Sequence, residues 1–502
     1  MIAPDTPRVA HDRPAMVDLS AALAANAART ASPALIHDGV VISHAELSRR
    51  VAALAARLGP EPVGVYVSRT PETVIAVLAV LAAGGVHCPV DPAFPTERRE
   101  TMLAAAGCKT VLLTADGQPT PDGLNTLDVR SAGSESVPDR SMRHSPDAAA
   151  YLLFTSGSTG RPKPVVTSRR AISVAVAALR ELFDITTTDR VLQFASLNWD
   201  TCFEEILPTL TAGASLVIDA EAHTGSFPRF LRMCADRGVT VLDLPTAYWH
   251  ELVRHLDESG DHLPGSIRLV VIGGEAASPR AVADWHRLVG DRVRLLNTYG
   301  CTETTLITHS AELAGPAADV PIGHPLPHVR ERVGEDGELL IGGPALADGY
   351  LDDPNGTARR FVLVNGERYF RTGDRVRRDP SGALIHNGRI DGELKIRGVR
   401  VDPAEVEALI VDHPTVAAAA VVGDRIADRT VLAAYVVSTT EDLDPAALRS
   451  DLLADLRTRA PAHLRPGRVT VVPQLARTAS GKVDRAATHR RYVPTRAGRR
   501  HE

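Results

Sequence analysis

Between about residues 40 and 300, short apolar runs alternate with amphipathic or alanine-rich stretches that are long enough to form helices. The apolar runs, which are the expected strands, include Pro62–Val67, Thr110–Leu113, Ser215–Ile218, Val239–Leu244 and Arg268–Ile272. The expected helices include Ala45–Leu58, Pro71–Ala83 and Arg170–Leu182. Strands that alternate with helices form βαβ units, and these units build mostly parallel sheets. The pattern therefore predicts a large N-terminal α/β domain.

The rest of the chain predicts one long loop and two smaller units. Residues 115–147 are polar and rich in Gly, Pro and Ser, so we expect a loop there. Residues 325–385 contain short strand-like runs between glycines, which predicts a small β-rich subdomain over about residues 325–390. The last unit is predicted to be a small, mobile α+β domain with helices Ala404–Val411 and Pro445–Arg459 and strands Ala417–Val422, Val431–Val437 and Val469–Val472. We therefore expect one domain over residues 1–390 and another over residues 391–502.

Charge and cysteine content argue against several function classes. The 502 residues carry a net charge of −5, so no overall basic field exists to hold nucleic acid or an anionic membrane. We expect the arginine-rich C-terminus, from Arg485 onward, to be a frayed and solvated tail. The five cysteines form no CxxC pair, which argues against a zinc site and a disulfide framework. The N-terminus has no secretory signal, and Val74–Val90 is too short for a membrane span, so we expect a cytoplasmic protein in which this run forms a buried helix and strand.

Lysine is scarce in this chain. Only four of the 56 cationic residues are lysine, and these are Lys109, Lys163, Lys395 and Lys482. The chain evidently uses arginine wherever any cation suffices. A retained lysine therefore indicates a place that needs a compact ammonium group instead of a planar guanidinium.

The strongest motif is Tyr151–Lys163, YLLFTSGSTGRPK, in which an apolar strand leads into a loop of hydroxyl residues and glycines. Glycines allow the turns that aim backbone N–H groups inward, the hydroxyl groups add donors, and Lys163 adds a positive charge. Such a loop suits a polyphosphate. It is not a Walker A loop, because the GxxxxGK[ST] pattern is absent. A flexible Gly/Ser turn with no ligand is the alternative, and it leaves the Arg-Pro-Lys ending unexplained.

This segment closely resembles the phosphate loop of adenylate-forming enzymes, and in particular of the adenylation domains of nonribosomal peptide synthetases. Further segments resemble that family's motifs in the right order, namely Asn297–Thr305 (NTYGCTETT), Tyr369–Val376 (YFRTGDRV), Gly388–Glu407 (GRIDGELKIRGVRVDPAEVE) and Arg477–Arg485 (RTASGKVDR), with weaker matches at Leu81–Pro92 and Ala345–Tyr350. The resemblance covers nearly the whole chain and implies a stand-alone adenylation domain. Pro164 and Cys301 depart from the family pattern, but neither departure removes a catalytic group.

The resemblance implies a role for each residue that matches a motif. The β- and γ-phosphates of ATP would be held by Thr155, Ser156, Gly157, Ser158, Thr159, Gly160 and Lys163. The adenosine would contact Asn297, Tyr299, Gly300, Asp374 and Arg389, with Tyr299 stacked on adenine and Asp374 accepting the ribose hydroxyls. The catalytic residues would be Thr302, Glu303 and Lys482, with Glu303 as the Mg²⁺ ligand and Lys482 reaching the substrate carboxylate and the α-phosphate. Asp391 would be the hinge that swings the C-terminal domain and brings Lys395–Gly398 to the site.

By the same resemblance, the amino-acid pocket would be lined by Asp200, Thr201, Glu204, Asp243, Val271, Gly273, Thr298, Leu306 and Ile307, together with Lys482. Asp200 matches the family's anchor for the amino group. Glu204 lies four residues later on the same helix face, and Asp243 interrupts an apolar strand where a carboxylate is unexpected. This pocket most resembles those of adenylation domains that activate β-lysine, with α-lysine or ornithine next. Alternatively, Glu204 faces solvent and Asp243 caps a turn or pairs with an arginine.

The implied reaction joins a carboxylate to the α-phosphorus of ATP, which gives an acyl-AMP and pyrophosphate, and then transfers the acyl group to a thiol. The sequence contains no DSL-like carrier segment and no HHxxxD condensation motif. We therefore expect the thiol to be the phosphopantetheine of a separate peptidyl carrier protein in antibiotic biosynthesis, with a small MbtH-like activator as a further candidate partner. The alternatives are an acyl-CoA ligase of the same superfamily and a non-catalytic nucleotide-binding regulatory protein. Asp200 argues against the first, and Glu303 and Lys482 argue against the second.

Overall fold

The computed structural model describes residues 16–28, 32–132, 144–155, 163–315, 318–390, 393–396, 399–426, 429–440, 443–477 and 483–493. These residues divide into two compact units, and the division falls between the described residues Ile390 and Glu393. Within the described ranges, no helix is both long and apolar enough to cross a membrane.

The α-helices of the described residues include the five predicted ones, with bounds that differ by three residues at most. They are α1 (Leu19–Ala27), α2 (His44–Ala55), α3 (Pro71–Ala82), α4 (Thr96–Ala105), α5 (Arg169–Phe183), α6 (Thr201–Ala212), α7 (Phe227–Arg237), α8 (Thr246–Ser259), α9 (Pro279–Val289), α10 (Pro354–Arg360), α11 (Pro403–Val411), α12 (Pro445–Arg459) and α13 (Arg485–Tyr492). Proline occupies the first position of α3, where it replaces a backbone N–H that would have no partner inside the helix. Almost every residue of α3 is buried, which confirms the prediction of a buried helix instead of a membrane span.

The strands of the first half of the chain are short, as predicted. They are β1 (Pro33–His37), β2 (Val40–Ser43), β3 (Pro62–Tyr66), β4 (Val86–Val90), β5 (Thr110–Leu113), β6 (Asn125–Asp128), β7 (Ala149–Thr155), β8 (Lys163–Ser168), β9 (Arg190–Leu192), β10 (Ser215–Ile218), β11 (Val241–Pro245), β12 (Leu269–Gly273), β13 (Arg294–Gly300) and β14 (Ile307–Glu312). Short strands are typical of sheets that are joined by βαβ crossovers.

The remaining strands build the smaller sheets. They are β15 (His324–Pro325), β16 (Arg330–Val333), β17 (Glu338–Gly342), β18 (Gly349–Tyr350), β19 (Phe361–Val364), β20 (Glu367–Arg378), β21 (Leu384–Arg389), β22 (Leu394–Ile396), β23 (Val399–Val401), β24 (Val416–Ile426), β25 (Arg429–Ser438) and β26 (Arg468–Val471). In the N-terminal unit, β16, β17, β20, β19 and β21 form the predicted β-rich subdomain.

Two large mixed sheets organise the N-terminal unit. One has seven strands in the order β18-β8-β7-β4-β3-β5-β6, and the other has nine in the order β15-β14-β13-β12-β11-β9-β10-β1-β2. The central strands of both pair in parallel, and antiparallel strands lie at one edge of the seven-stranded sheet and at both edges of the nine-stranded sheet. Helices α2, α3, α5 and α6 pack between the sheets, α4 covers the outer face of the first, and α7, α8 and α9 cover the outer face of the second. The predicted α/β fold class is confirmed.

The second unit has its own core. Strands β24, β25 and β26 form a three-stranded sheet, and β22 pairs with β23. Apolar residues of α11 and α12 pack on the three-stranded sheet, among them Val406, Ile410, Leu452 and Leu456. This arrangement confirms the predicted small α+β fold.

The structure corrects three predictions. The segment predicted as a loop contains strand β6, which pairs in parallel with β5 and so finds partners for its backbone groups. The β-rich subdomain also contains α10, which begins after an Asp353 cap at a proline. The predicted frayed tail starts with helix α13, because Asp484 caps its N-terminus and Arg485 forms an ion pair with Glu407 at 2.7 Å between Nε and Oε1.

Candidate active site

Two carboxyl groups face each other in the layer between the large sheets. Leu242 and Leu244 of β11 point to the outer helices, so strand alternation turns Asp243 toward the inner layer. Glu204, in the first turn of α6, is buried there and shares a side-chain hydrogen bond with Asp243. A hydrogen bond between two carboxyl groups requires a proton on one of them. No described N–H or O–H group donates to the buried Oδ2 atom of Asp243.

The electrostatics of this pair favour protons at neutral pH. Burial raises the pKa of Asp243 to about 7. Burial, and next the negative charge of Asp243, raise the pKa of Glu204 well above its usual range. Among the described residues, neither carboxyl group forms an ion pair with a lysine or an arginine. Within the part of the chain that the structure describes, the pair therefore has no counter-ion, and it either holds protons or takes a cation from elsewhere.

Asp200 lies close to this pair, immediately before α6. Burial, and next the charge of Glu303, raise the pKa of Asp200 to about 6. The negative charge of Asp200 also raises the pKa of Glu204. The structure thus brings Asp200, Glu204 and Asp243 together, as the sequence predicts, whereas Thr201 at the start of α6 is exposed.

The predicted pocket walls lie on neighbouring strands. Asp243 pairs with Val271 in the register of β11 and β12, and Gly273 pairs with Thr298 in the register of β12 and β13. A Cβ atom on Gly273 would lie 2.6 Å from Oγ1 of Thr298, so this position requires glycine unless Thr298 moves. Leu306 and Ile307 are buried at the start of β14. These residues lie toward the strand ends, which is where α/β sheets bind their ligands.

The segment from Gly300 to Leu306 holds Glu303 inside the unit. A Cβ atom on Gly300 would lie 2.0 Å from the carbonyl oxygen of Leu306, so only glycine fits. Thr305 and Leu306 have φ of 57° and 65°, which is a backbone conformation that residues other than glycine rarely adopt. Glu303 is fully buried, and the Tyr350 hydroxyl donates to its Oε1 atom at 2.8 Å. Strain of this kind is maintained where surrounding contacts fix the backbone, often at functional sites.

A second buried carboxylate, Asp374, gathers three donors. The Tyr299 hydroxyl donates to Oδ2 at 2.6 Å, while His386 Nε2 and Arg389 Nη1 lie 3.0 and 2.9 Å from Oδ1. Asn297 lies two residues before Tyr299, and its side chain donates to the Pro321 carbonyl at 2.7 Å. The predicted adenosine-contacting residues are therefore neighbours along β13, β20 and β21.

Only the two ends of the predicted phosphate loop fall within the described residues. Thr155 ends β7, and its buried hydroxyl has no partner among the described residues. Lys163 begins β8, lies 3.5 Å from Oδ2 of Asp353 and sits 5.8 Å from the centre of the Tyr350 ring. The remaining predicted residues, Ser156, Gly157, Ser158, Thr159, Gly160, Asp391 and Lys482, lie outside the described residues.

Sequence reasoning missed Tyr350, His386, Arg69 and Glu205 as parts of this region. Tyr350 belongs to the weakly matching Ala345–Tyr350 segment, which is a signal that could have identified it. The other three are identified only by their contacts in the fold, Glu205 and His386 with residues 10 to 12 positions away and Arg69 with residues more than 120 positions away.

The described residues suit a nucleotide with its magnesium ion. They contain no cluster of three or more His, Cys, Asp or Glu side chains that could hold a metal alone. Mg²⁺ that accompanies a nucleotide is usually bound by one or two carboxylates together with phosphate oxygens, so the single buried Glu303 fits that role. The Thr155 hydroxyl, which has no described partner, fits a phosphate oxygen.

Comparison with known families agrees with this geometry. Residues 22–351 match the model of the AMP-binding enzymes, and residues 405–482 match the model of the AMP-binding enzyme C-terminal domain. The isonitrile lipopeptide synthase of Streptomyces coeruleorubidus is 41% identical over an alignment of 483 residues that covers 92% of this chain and 32% of that protein. The phosphinothricin tripeptide synthetase PhsC of Streptomyces viridochromogenes is 35% identical over 88% of this chain and 41% of its own length. The chain thus spans less than half the length of these relatives.

Solved structures share the fold over nearly the whole chain. An artificially fused adenylation–PCP di-domain from Klebsiella oxytoca, NpsA-ThdA, has a TM-score of 0.79 and 28% identity, and the match covers 91% of this chain and 94% of that one. A malonyl-CoA ligase with methylmalonyl-CoA and AMP bound has a TM-score of 0.79 and 28% identity over 89% of this chain and 96% of that one. With a family model matched over most of its length, this chain belongs to the AMP-binding, adenylate-forming enzymes.

Proposed function

We propose that this protein is an adenylation domain that activates a cationic diamino acid, with β-lysine preferred and α-lysine or ornithine next. The observation that carries the proposal is the Glu204–Asp243 pair beside Asp200, in which Glu204 and the Oδ2 atom of Asp243 are buried, with no described cation paired to either member of the pair. Carboxylates buried without a counter-ion are costly, so a ligand that brings the positive charge is favoured.

Charge decides between cationic and neutral side chains. At 4 Å and an effective dielectric constant of about 20, an ammonium group and a carboxylate attract by about 4 kcal/mol. A neutral side chain gains nothing comparable and leaves the pair holding its protons. Asp200 would anchor the amino group near the carboxylate, and Glu204 and Asp243 would hold the distal ammonium group.

The chemistry requires two anionic reactants to meet. A carboxylate oxygen of the amino acid attacks the α-phosphorus of ATP, the bond to the bridging oxygen breaks, and pyrophosphate leaves. When bound, Mg²⁺ neutralises phosphate charge, and Glu303, oriented by Tyr350, would hold it. Thr155 and Lys163 would contact the phosphates and Asp374 the ribose. Lys482 would stabilise the negative charge that develops at the α-phosphate.

The second step would move the aminoacyl group from AMP to the phosphopantetheine thiol of a carrier protein. The thiolate attacks the acyl carbon, and AMP leaves. By this proposal, residues 1–390 form the adenylation core and residues 391–502 a mobile domain that turns at Asp391. The relationship to peptide synthetases, including one fused to a carrier domain, supports this step. It also supports a role in peptide natural-product biosynthesis, and a cytoplasmic location follows from the substrates.

The main alternative is an acyl-CoA ligase. The malonyl-CoA ligase, which shares the fold of this chain at 28% sequence identity, is the reason to consider it. Asp200 argues against it, because a fatty or dicarboxylic acid has no ammonium group to offset that buried carboxyl group. A non-catalytic regulator would have no use for the buried Glu303 next to the strained Thr305 and Leu306.

Exchange of labelled pyrophosphate into ATP tests these alternatives together. The panel contains β-lysine, α-lysine, ornithine, arginine, leucine and a fatty acid. We expect exchange with the diamino acids and little with leucine or the fatty acid. Exchange driven by a neutral amino acid would refute the assignment of a cationic substrate. Exchange driven only by the fatty acid would favour the ligase, and ATP binding without any exchange would favour the regulator.

A further inference from the structure

A buried loop connects β9 to the helix that carries the acidic pair. Gln193, Phe194 and Ala195 follow β9, and Asp200 ends the loop just before α6. Gln193 and Phe194 are buried. Phe194 and Ala195 lie outside the strands, so no sheet ladder satisfies their N–H and carbonyl groups. Buried backbone groups of this kind need other partners.

Glu205 supplies the acceptors for this loop. Its Oε1 atom accepts the N–H groups of Phe194 at 2.9 Å and of Ala195 at 2.8 Å, and its Oε2 atom accepts from the side-chain amide of Gln193 at 3.1 Å. Glu205 is fully buried in α6, next to Glu204. All three hydrogen bonds to its carboxyl group therefore come from the loop.

Arg69 supplies the donors for the same loop. Its Nη1 atom donates to the carbonyl oxygens of Phe194 at 3.0 Å and Ala195 at 3.2 Å, and to Oε1 of Gln193 at 3.3 Å. Burial lowers the pKa of Arg69, and the charge of Glu205 opposes that shift. One guanidinium and one carboxylate thus hold both the carbonyl and the N–H groups of the same two residues.

We propose that Arg69 and Glu205 are positioning residues, which clamp Phe194 and Ala195 and thereby set Asp200 and Glu204 in the geometry that binds the amino acid. The inference rests on the proposed function, because it assigns the clamp to amino-acid binding. Glu205 can influence the position of both acids because it is close to them in the chain. It follows Glu204 directly in α6, and Asp200 immediately precedes that helix. The carboxyl oxygens of Glu205 are already used by the donors of the loop, which leaves Glu204 and Asp243 for the ligand.

Two measurements on four variants test the clamp. Glu205→Ala removes the acceptors, Glu205→Gln keeps an oxygen for the two N–H groups, and Arg69→Met and Arg69→Lys are the matching pair for the donors. Glu221→Gln, which breaks the exposed ion pair with Arg229, is the control. Pyrophosphate exchange gives KM for the amino acid and for ATP separately. Hydrogen exchange of the peptide that covers residues 190–200 reports the Phe194 and Ala195 N–H groups directly.

We expect Glu205→Ala to raise KM for the amino acid by about 5- to 100-fold, as for loss of a buried hydrogen bond, with KM for ATP nearly unchanged. Glu205→Gln and Arg69→Lys should recover most of that loss. Amide exchange in residues 190–200 should accelerate in Glu205→Ala but not in Glu221→Gln. Equal rises in both KM values, or an unchanged KM with faster amide exchange, would overturn the positioning role. Unchanged amide exchange in Glu205→Ala would overturn the clamp itself, and this readout does not depend on activity. A wild-type protein that activates no amino acid would instead refute the proposed function.

Discussion

Glu204 on α6 and Asp243 on β11 share a hydrogen bond between their carboxyl groups in the layer between the two large sheets. Two acids are brought together in this way at a cost in folding free energy, because burial and mutual repulsion both disfavour their ionised forms. The arrangement is explained if a positively charged group from the ligand completes it. Three of the predictions below concern this pair, and two concern other residues of the candidate site.

Substitution of the pair should change which substrate is preferred. Each of Glu204→Gln and Asp243→Asn should lower kcat/KM for β-lysine by about 1–3 kcal/mol in free energy, because the ammonium group loses a charged partner. The double variant should lose the preference for a diamino acid over leucine. The measurement is the ratio of kcat/KM for the two substrates. Asp200→Ala is the contrasting variant, since it should weaken every amino acid alike. A double variant that keeps the wild-type ratio would show that the two acids are structural.

Substrate binding should depend on pH through the same pair. Below pH 7 the pair holds protons, because the pKa of Asp243 is raised to about 7 and that of Glu204 is raised as well. An ammonium group binds best to the ionised pair, so KM for β-lysine should fall as pH rises from 5.5 to 8, by up to about tenfold per pH unit for each displaced proton. The KM for ATP over the same range is the internal control. A flat profile for β-lysine, or the same profile in Glu204→Gln/Asp243→Asn, would exclude this linkage.

The stability of the unliganded protein should show the opposite trend. A carboxyl group whose pKa is higher in the folded than in the unfolded state stabilises the fold at low pH, and this contribution is lost as pH rises through the folded pKa. Between about pH 4 and 7, the free energy of unfolding should therefore fall relative to that of the double variant Glu204→Gln/Asp243→Asn. Chemical denaturation of both proteins at several pH values measures the difference. Parallel curves for the two proteins would mean that the pair does not hold the proton.

Tyr350 should act on the metal through Glu303. Tyr350→Phe removes the hydroxyl that donates to Glu303 Oε1 at 2.8 Å, so the carboxylate is less firmly oriented. We expect the Mg²⁺ concentration for half-maximal exchange to rise by about 5- to 10-fold, in line with the loss of about 1 kcal/mol per hydrogen bond. Tyr369→Phe is the matched control, because that hydroxyl donates to Glu367 at 3.0 Å. Equal effects of the two substitutions would argue against the assignment of Glu303 as the Mg²⁺ ligand.

Lys482→Ala should separate catalysis from ATP binding. If Lys482 stabilises the charge that develops at the α-phosphate, the substitution should slow exchange by about 100-fold or more while the Kd for ATP changes little. Lys109→Ala replaces an exposed lysine for which we propose no role, and should leave the rate unchanged. If Lys482→Ala exchanges pyrophosphate at the wild-type rate, the C-terminal domain does not contribute Lys482 to the adenylation step.

Local patterns in the sequence predict those strands and helices that depend on local burial. Thr110–Leu113 and Ser215–Ile218 are strands with the predicted bounds, and Pro445–Arg459 is a helix with the predicted bounds. Strand β6 and helix α13 were missed because their sequences are polar. What stabilises them is a neighbouring strand in one case and the distant Glu407 in the other.

The candidate site shows the same limit. The resemblance identifies residues one motif at a time, and the structure brings Asp200, Glu204 and Asp243 together. It cannot reveal Glu205, whose acceptors are used by backbone N–H groups 10 and 11 residues earlier, or Arg69, which reaches that loop from more than 120 residues away. A side chain that bonds to backbone groups cannot be matched to its partner from the sequence, because nearly every residue offers the same N–H and carbonyl groups.

Asp374 has a consequence for how a nucleotide would enter. A carboxylate offers about four acceptor positions, and three of those of Asp374 are already used by Tyr299, His386 and Arg389. Two ribose hydroxyls therefore cannot both donate to Asp374 unless at least one of these three hydrogen bonds is broken. A nucleotide that binds at this carboxylate would therefore replace one of its present hydrogen-bond donors. The side chain of the displaced donor would be the first part of the protein to change its contacts when the nucleotide binds.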